Sequence, residues 1–267
     1  DADPKAFDIT TRADLEDSIR RVESLRRQLA DARSDREKQV VTESILALCQ
    51  EELGKQANAS GAIVAERSRD PLTPGMAVRW NGAFTVLESI IRGLGKDGLA
   101  AYERLYGPRA ERLLQEAQSG RDLEAMETLN RRFGLTQAGL RAATLLAATW
   151  WERGEMSRAA RSLERALHAP ELIDDRRRAA LCAWLSHCYR ALGERANLSR
   201  LQKDTAGIAD QVVDEGGNLT PLAQVIKRNL EGARDTSTDV LSQQGIEWPG
   251  GNHTNTGLHR LPTDYAQ

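Results

Sequence analysis

From Leu99 onward the sequence is a run of apolar-striped segments cut at short intervals by glycine, and this punctuation limits what the chain can build. Stretches of about 10–18 residues with helical periodicity alternate with breaks at Gly107, Gly120, Gly134, Gly139, Gly154 and Gly193. Leu and Ala supply most of the apolar positions and aromatic residues only 4% of the chain, which suits helices better than sheets. No period-2 alternation of the kind a strand needs is evident. The expected fold class is all-α.

The N-terminal part carries the same signal in a different arrangement. Residues 1–10 read as an extended lead-in. Thr11 with Asp14 resembles a capping box, and Leu15, Ile19, Val22, Leu25 and Leu29 then form one apolar stripe. A second stripe runs through Val41, Ile45 and Leu48, with Gly54 as the expected stop. An antiparallel hairpin packed on the main body is expected, with a coiled coil to another chain as the alternative. Arg69-Asp70-Pro71-Leu72-Thr73-Pro74-Gly75 reads as a linker. Trp80, Phe84, Leu87 and Ile91 make a further helical stripe, which Gly93, Gly95 and Gly98 interrupt.

Breaks at this rate invite a search for a repeat. Gly120 to Gly154 spans 34 residues, and so does Ala125 to Ala159. Leu163 and Ala166 follow Ala159, while Leu146 and Trp150 precede Gly154, and Leu185 and Tyr189 stand likewise before Gly193. Small residues let two helices cross closely, glycine permits the reversal, and Trp or Tyr fills the groove between helices. Each pair leaves an apolar face that the next must cover. The pattern resembles the tetratricopeptide repeat, whose period is about 34 residues. Gly154 to Gly193 spans 39, so an insertion is expected around residues 168–174. The implied architecture is a helical hairpin at 1–75, a short tetratricopeptide-like α-solenoid at 76–234, and an extended tail at 235–267.

A broader resemblance rests on Leu99-Ala100-Ala101-Tyr102-Glu103-Arg104-Leu105-Tyr106-Gly107, then Ala110, Leu113-Leu114, Asp122-Leu123-Glu124-Ala125 and Arg131-Arg132-Phe133. It continues through Thr136-Gln137-Ala138-Gly139 to Gly154-Glu155. These residues resemble the helical N-terminal region of bacterial PQQ-binding-like β-propeller repeat proteins. Trp248-Pro249-Gly250-Gly251-Asn252 resembles the opening of a first blade in that family. The resemblance covers residues 85–257 and implies an exported, cell-envelope or extracellular protein. The residues that would hold the propeller's cofactor are not in this sequence, so no cofactor is carried over. The opening Asp1-Ala2-Asp3-Pro4 is one that a processed export product or a shortened chain can have, and a cytoplasmic location stays open.

Composition and charge argue against several other classes. A net charge of -2 is not that of a nucleic-acid binder, although 31 of the 37 basic residues are Arg. These Arg residues interleave with acids, as on solvated helix faces. No apolar run reaches the roughly 18 residues of a membrane span. Cys49, Cys182 and Cys188 form neither a disulfide framework nor a metal motif. Cys182, His187 and Cys188 make the richest cluster, but on one helix they diverge, and core packing is the expected role. Asp174-Asp175 read as helix N-terminal charges, and Arg176-Arg177-Arg178 as a self-neutralised face. Trp150 and Trp151 read as core, with Trp151 as a possible groove wall. Asn58, Asn197, Asn218 and Asn252 each begin an N-x-S/T sequon, which reads as plain surface asparagine unless the source cell glycosylates.

Thr220 and Pro221 are expected to start a helix that runs to about residue 233. Beyond it the sequence is rich in Ser, Thr, Gly and Asn, with Ile246, Trp248, Leu258, Leu261 and Tyr265 as candidate interface anchors. The expected function is a non-catalytic scaffold, with no metal or cofactor and with protein partners that include copies of itself. The alternatives are a docking domain of a larger propeller protein and a monomeric peptide-binding module.

Overall fold

The computed structural model describes residues 13–56, 63–69 and 76–233. Among them the chain is predominantly helical, with ten α-helices and two short antiparallel ladders. It divides into two compact units, Asp1–Ala142 and Ala143–Gln267. Thr11 and the anchors Ile246, Trp248, Leu258, Leu261 and Tyr265 lie outside the described residues.

In the first unit α1 (Ala13–Asp31) and α2 (Asp35–Gln56) pack as a hairpin. Leu15 and Val22 of α1 and Ile45 of α2 are buried, with Leu46, Cys49 and Leu53 beside them. The turn between α1 and α2 is set by a capping box. Ser34 Oγ accepts from Glu37 N at 3.2 Å, and Glu37 Oε2 accepts from Ser34 N at 3.2 Å. Gly54 does not end α2. A Cβ there would stand 3.2 Å from Arg132 Cζ, so glycine makes room for a guanidinium packed on the helix.

Two strands interrupt the helices between α2 and the next helix. Ile63–Arg69 (β1) and Met76–Gly82 (β2) form an antiparallel ladder with Ala65 opposite Trp80. Residue 69 therefore closes a strand instead of opening a linker, and Trp80 does not belong to a helix. The signal lay in Met76, Val78 and Trp80, which alternate with Ala77, Arg79 and Asn81. α3 (Ala83–Arg92) follows at once and buries Leu87, Ile90 and Ile91.

α4 (Gly95–Gly120) runs through Gly107, expected to break it, and through the Pro108 that follows. Tyr102 before them and Ala110 and Leu114 after them are all buried, and this packing outweighs the poor helix propensity of the pair. Tyr102 Oη donates to Gln50 Oε1 at 2.6 Å, and Gln50 Nε2 donates to the Arg132 carbonyl at 3.4 Å. α2, α4 and α5 (Leu123–Phe133) are thereby held by one buried polar chain. α6 (Gln137–Glu152) opens on Thr136, whose Oγ1 donates to the Phe133 carbonyl at 2.8 Å and accepts from Gly139 N at 3.0 Å. Gly139 is thus part of the helix start and not a break. A Cβ at Gly139 would sit 2.0 Å from Phe133 O.

The boundary between units falls inside α6. The second unit continues with α7 (Met156–Leu167), α8 (Asp175–Leu192), α9 (Arg195–Asp204) and α10 (Leu222–Gly232). The extra residues between α7 and α8 include a single 3-10 turn, Pro170–Leu172. β3 (Val212–Asp214) and β4 (Leu219–Pro221) form a small hairpin before α10. Thr220 lies in β4 and caps nothing. The first amides of α10 are satisfied by backbone instead, Leu222 N on Gln211 O at 2.9 Å and Ala223 N on Ala209 O at 3.0 Å.

Gly139→Ala is expected to cost about 3 kcal/mol or more, because two backbone segments must separate to admit the methyl group. Chemical denaturation checks this, and a loss below about 1 kcal/mol, the ordinary helix-propensity scale, would show that the contact yields easily.

Candidate functional site

The second unit takes its form from a turn that occurs twice. In α6 the Glu155 amide donates to Trp150 O at 2.8 Å and the Gly154 amide to Trp151 O at 2.9 Å. In α8 Glu194 N donates to Tyr189 O at 2.9 Å and Gly193 N to Arg190 O at 3.1 Å. Both are Schellman closures, with the glycine in the left-handed region at φ 75° and 70°. Glu155 and Glu194 follow with nearly the same backbone angles and open the next helix. Atom for atom, the two turns repeat at 39 residues.

A third copy of this closure ends α4, but at Arg121 and not at Gly120. Arg121 has φ 51°, with Asp122 N on Ala117 O at 2.9 Å and Arg121 N on Gln118 O at 3.1 Å. The true register from residue 121 to residue 154 is therefore 33 residues. Gly120 is only the exposed last residue of α4. The shift also moves the small-residue position, so Ala125 is exposed and Met126 is buried in the place that Ala159 holds in α7. Leu146, Trp150, Ala159, Leu163, Ala166, Leu185 and Tyr189 are all buried within the second unit.

Alongside the second turn, α7, α8 and α9 enclose a groove of about 390 Å³. Cys182, Leu185 and Leu201 give it an apolar floor, and all three are buried. Its polar lining mixes signs: Arg178 and Arg200 on one hand, Glu164 and Asp204 on the other. Tyr189 Oη donates to Glu164 Oε1 at 2.7 Å, tying α8 to α7 at the groove wall. Burial first, and then this bond, push the Tyr189 phenol well above its ordinary range. Trp150 lies beneath the guanidinium groups of Arg158 and Arg153, at 3.6 and 5.2 Å from the ring centre. Trp151 is half-buried and meets Trp184 edge-on at 6.2 Å.

The cluster singled out in the sequence divides by environment. Burial pushes the Cys182 thiol up to about 11 and the Cys188 thiol up to about 12, so neither supplies a thiolate at neutral pH. His187 instead joins a polar network that sequence spacing does not reveal. Its Nε2 lies 3.1 Å from Glu215 Oε1 at the β3–β4 turn, and its Nδ1 lies 3.2 Å from Asn229 Nδ2 of α10. Asn229 Nδ2 also donates to Ser186 Oγ at 2.7 Å, and Arg228 bonds the other oxygen of Glu215. Ser186 is thus turned to Asn229 and to the Ala183 carbonyl, not to His187. Burial holds His187 below its ordinary range, with Arg228 and Arg190 adding to the effect and Glu215 opposing it.

Asp174 caps α8 by accepting from Arg177 N at 2.7 Å, as its sequence position suggests. Of the sequon asparagines, Asn197 and Asn218 are exposed, while Asn58 and Asn252 lie outside the described residues. Among the described residues, no group of three or more His, Cys, Asp and Glu side chains could hold a metal ion, and no helix is long and apolar enough to cross a membrane.

Two outcomes test this geometry. Arg121→Gly is expected to raise stability by about 1 kcal/mol and Gly154→Ala to lower it by about 1–2 kcal/mol, since a left-handed residue is costly unless it is glycine. Urea unfolding of both variants checks the pair, and a destabilised Arg121→Gly would contradict the assigned turn. All three cysteines are buried, and their thiols are expected to resist alkylation in the folded protein near neutral pH and to react fully in denaturant. Fast labelling of native Cys182 would show that the groove floor opens.

Comparison of the chain with protein-family models, with curated proteins and with solved structures returns no match.

Proposed function

We propose that this protein is a non-catalytic scaffold in which a short helix-pair array of tetratricopeptide type binds protein, and that its partner is a second copy of itself. The observation that carries the reading is the groove of α7, α8 and α9, set beside a turn repeated at 39 residues. An array built from such pairs offers a continuous surface to another chain, because each pair contacts only its neighbours.

Self-association is favoured over an unlike partner by the charge pattern. The groove carries Arg178 and Arg200 together with Glu164 and Asp204 around its apolar floor. A face of mixed sign can complement its own image across a two-fold axis, whereas a face of one sign repels it. Val212 and Leu219 add exposed apolar surface on the β3–β4 hairpin of the same unit.

Sedimentation velocity of the full chain over a range of concentrations tests the proposal, with reversible association as the expected result. The double variant Arg178→Glu, Arg200→Glu makes the groove uniformly acidic and is expected to weaken association about tenfold or more at unchanged helix content. A chain that stays monomeric at every concentration would overturn self-association and leave the monomeric peptide-binding reading.

A further inference from the structure

α10 closes the described end of the second unit. It packs on α8 and α9 and buries Leu222, Val225 and Ile226 completely. Such a terminal helix shields the last apolar face of an array. Most of its contact is apolar, but one polar side chain, Asn229, is also fully buried. Its amide must find partners there, because an unpaired buried amide costs more than the bond itself contributes.

Those partners fix the protonation state of a neighbour. Asn229 Nδ2 sends one hydrogen to Ser186 Oγ at 2.7 Å and the other toward His187 Nδ1 at 3.2 Å. Asn229 Oδ1 accepts from Arg190 Nη1 at 3.4 Å. With both amide hydrogens committed, His187 Nδ1 must be an unprotonated acceptor, and Nε2 then carries the ring's proton to Glu215 Oε1 at 3.1 Å. A proton on Nδ1 would set N–H against N–H. Rotating the Asn229 amide would answer His187 but would turn the same conflict on Arg190. In the arrangement present, Nδ1 of a charged ring would face the Asn229 amide N–H and not an acceptor, while Nε2 keeps Glu215 as its partner.

The charged groups around His187 come from each element packed on it. Glu215 approaches from the β3–β4 turn, Arg228 from α10 and Arg190 from α8 itself. Arg190 is held close because Gly232 has no side chain, and a Cβ there would lie 3.1 Å from Arg190 Nε. Glu215 favours the imidazolium, while Arg190 and Arg228 disfavour it, and Glu215 is already engaged by Arg228.

We propose that Ser186, His187, Glu215 and Asn229 form an acid-sensitive latch, which fastens the β3–β4 hairpin and α10 onto α8 at neutral pH and loosens them when His187 takes up a proton. Loosening uncovers the apolar face of the last helix pair, so the latch links the medium to the exposure of that face. The direction follows from linkage. The folded state disfavours the charged ring, so the opened state binds the proton more readily. Stability of this region is full above the ordinary histidine range near pH 6.5 and is lost as pH falls below it.

Hydrogen exchange of the full chain tests the latch, with intrinsic exchange rates corrected at about pH 7.5 and about pH 5. Protection of residues 212–214 and 219–232 is expected to fall about tenfold in acid relative to α7. His187→Asn keeps an acceptor near the Nδ1 position but cannot titrate, and is expected to flatten this pH dependence. Asn229→Asp offers the imidazolium an acceptor and is expected to reverse it. Should either variant fold poorly, the wild-type ring is followed by NMR, and its protonation is expected to coincide with the loss of protection. Equal protection at both pH values overturns the latch. So does an unchanged acid response in His187→Asn, or a His187 titration that leaves α10 protection constant.

Discussion

A single left-handed residue at the end of a helix decides how the next helix leaves it. In α6 and α8 the closing pair of amide bonds forms only if residue 154 or 193 takes a positive φ, and both are glycine. Once that turn is set, Glu155 and Glu194 begin the following helices with the same geometry, and an acid there also suits the helix dipole. The Gly193 turn folds α9 back onto α8, whereas α7 reaches α8 through residues 168–174; Ala159 and Leu163 of α7 and Leu198 and Leu201 of α9 are buried. The groove lies among α7, α8 and α9, beside the Gly193 turn.

Apolar burial supplies the affinity between helices, but it does not fix their register. That role falls to a few buried polar chains. In the first unit Gln50 spans from Tyr102 to the Arg132 carbonyl, and in the second Asn229 spans from Ser186 to Arg190. Each is satisfied only in the native register, since a slide by one residue leaves an amide unpaired in an apolar setting. Asn229 adds a consequence that Gln50 does not have. Its neighbour His187 carries an imidazole whose charged form the buried setting disfavours.

How far these features could be read from the sequence depended on their range. Gly154 and Gly193 were legible because glycine marks the positive φ directly, and the paired stripes of α1 and α2 show the helices they form. Arg121 was not legible, since nothing in its identity announces a left-handed backbone, and the neighbouring Gly120 drew the repeat register one residue off. The capping box at Ser34 and Glu37 is a short local signal, weaker in the sequence than the longer apolar stripes that flank it. The β1–β2 ladder was masked by Trp80, which fits the period of Phe84, Leu87 and Ile91 as well as that of Met76 and Val78. The latch was beyond local reading, because Asn229 lies 42 residues from His187 and only the packing of α10 on α8 unites them.

The most direct test of the array as a self-binding surface is a dilution series of the full, isotope-labelled chain followed by backbone amide shifts. Concentration-dependent changes gathered on residues 164–168, 178–189 and 197–205 are the expected result, since these segments line the groove. Changes gathered elsewhere, or none across the series, would contradict the groove as the place where copies of this chain meet.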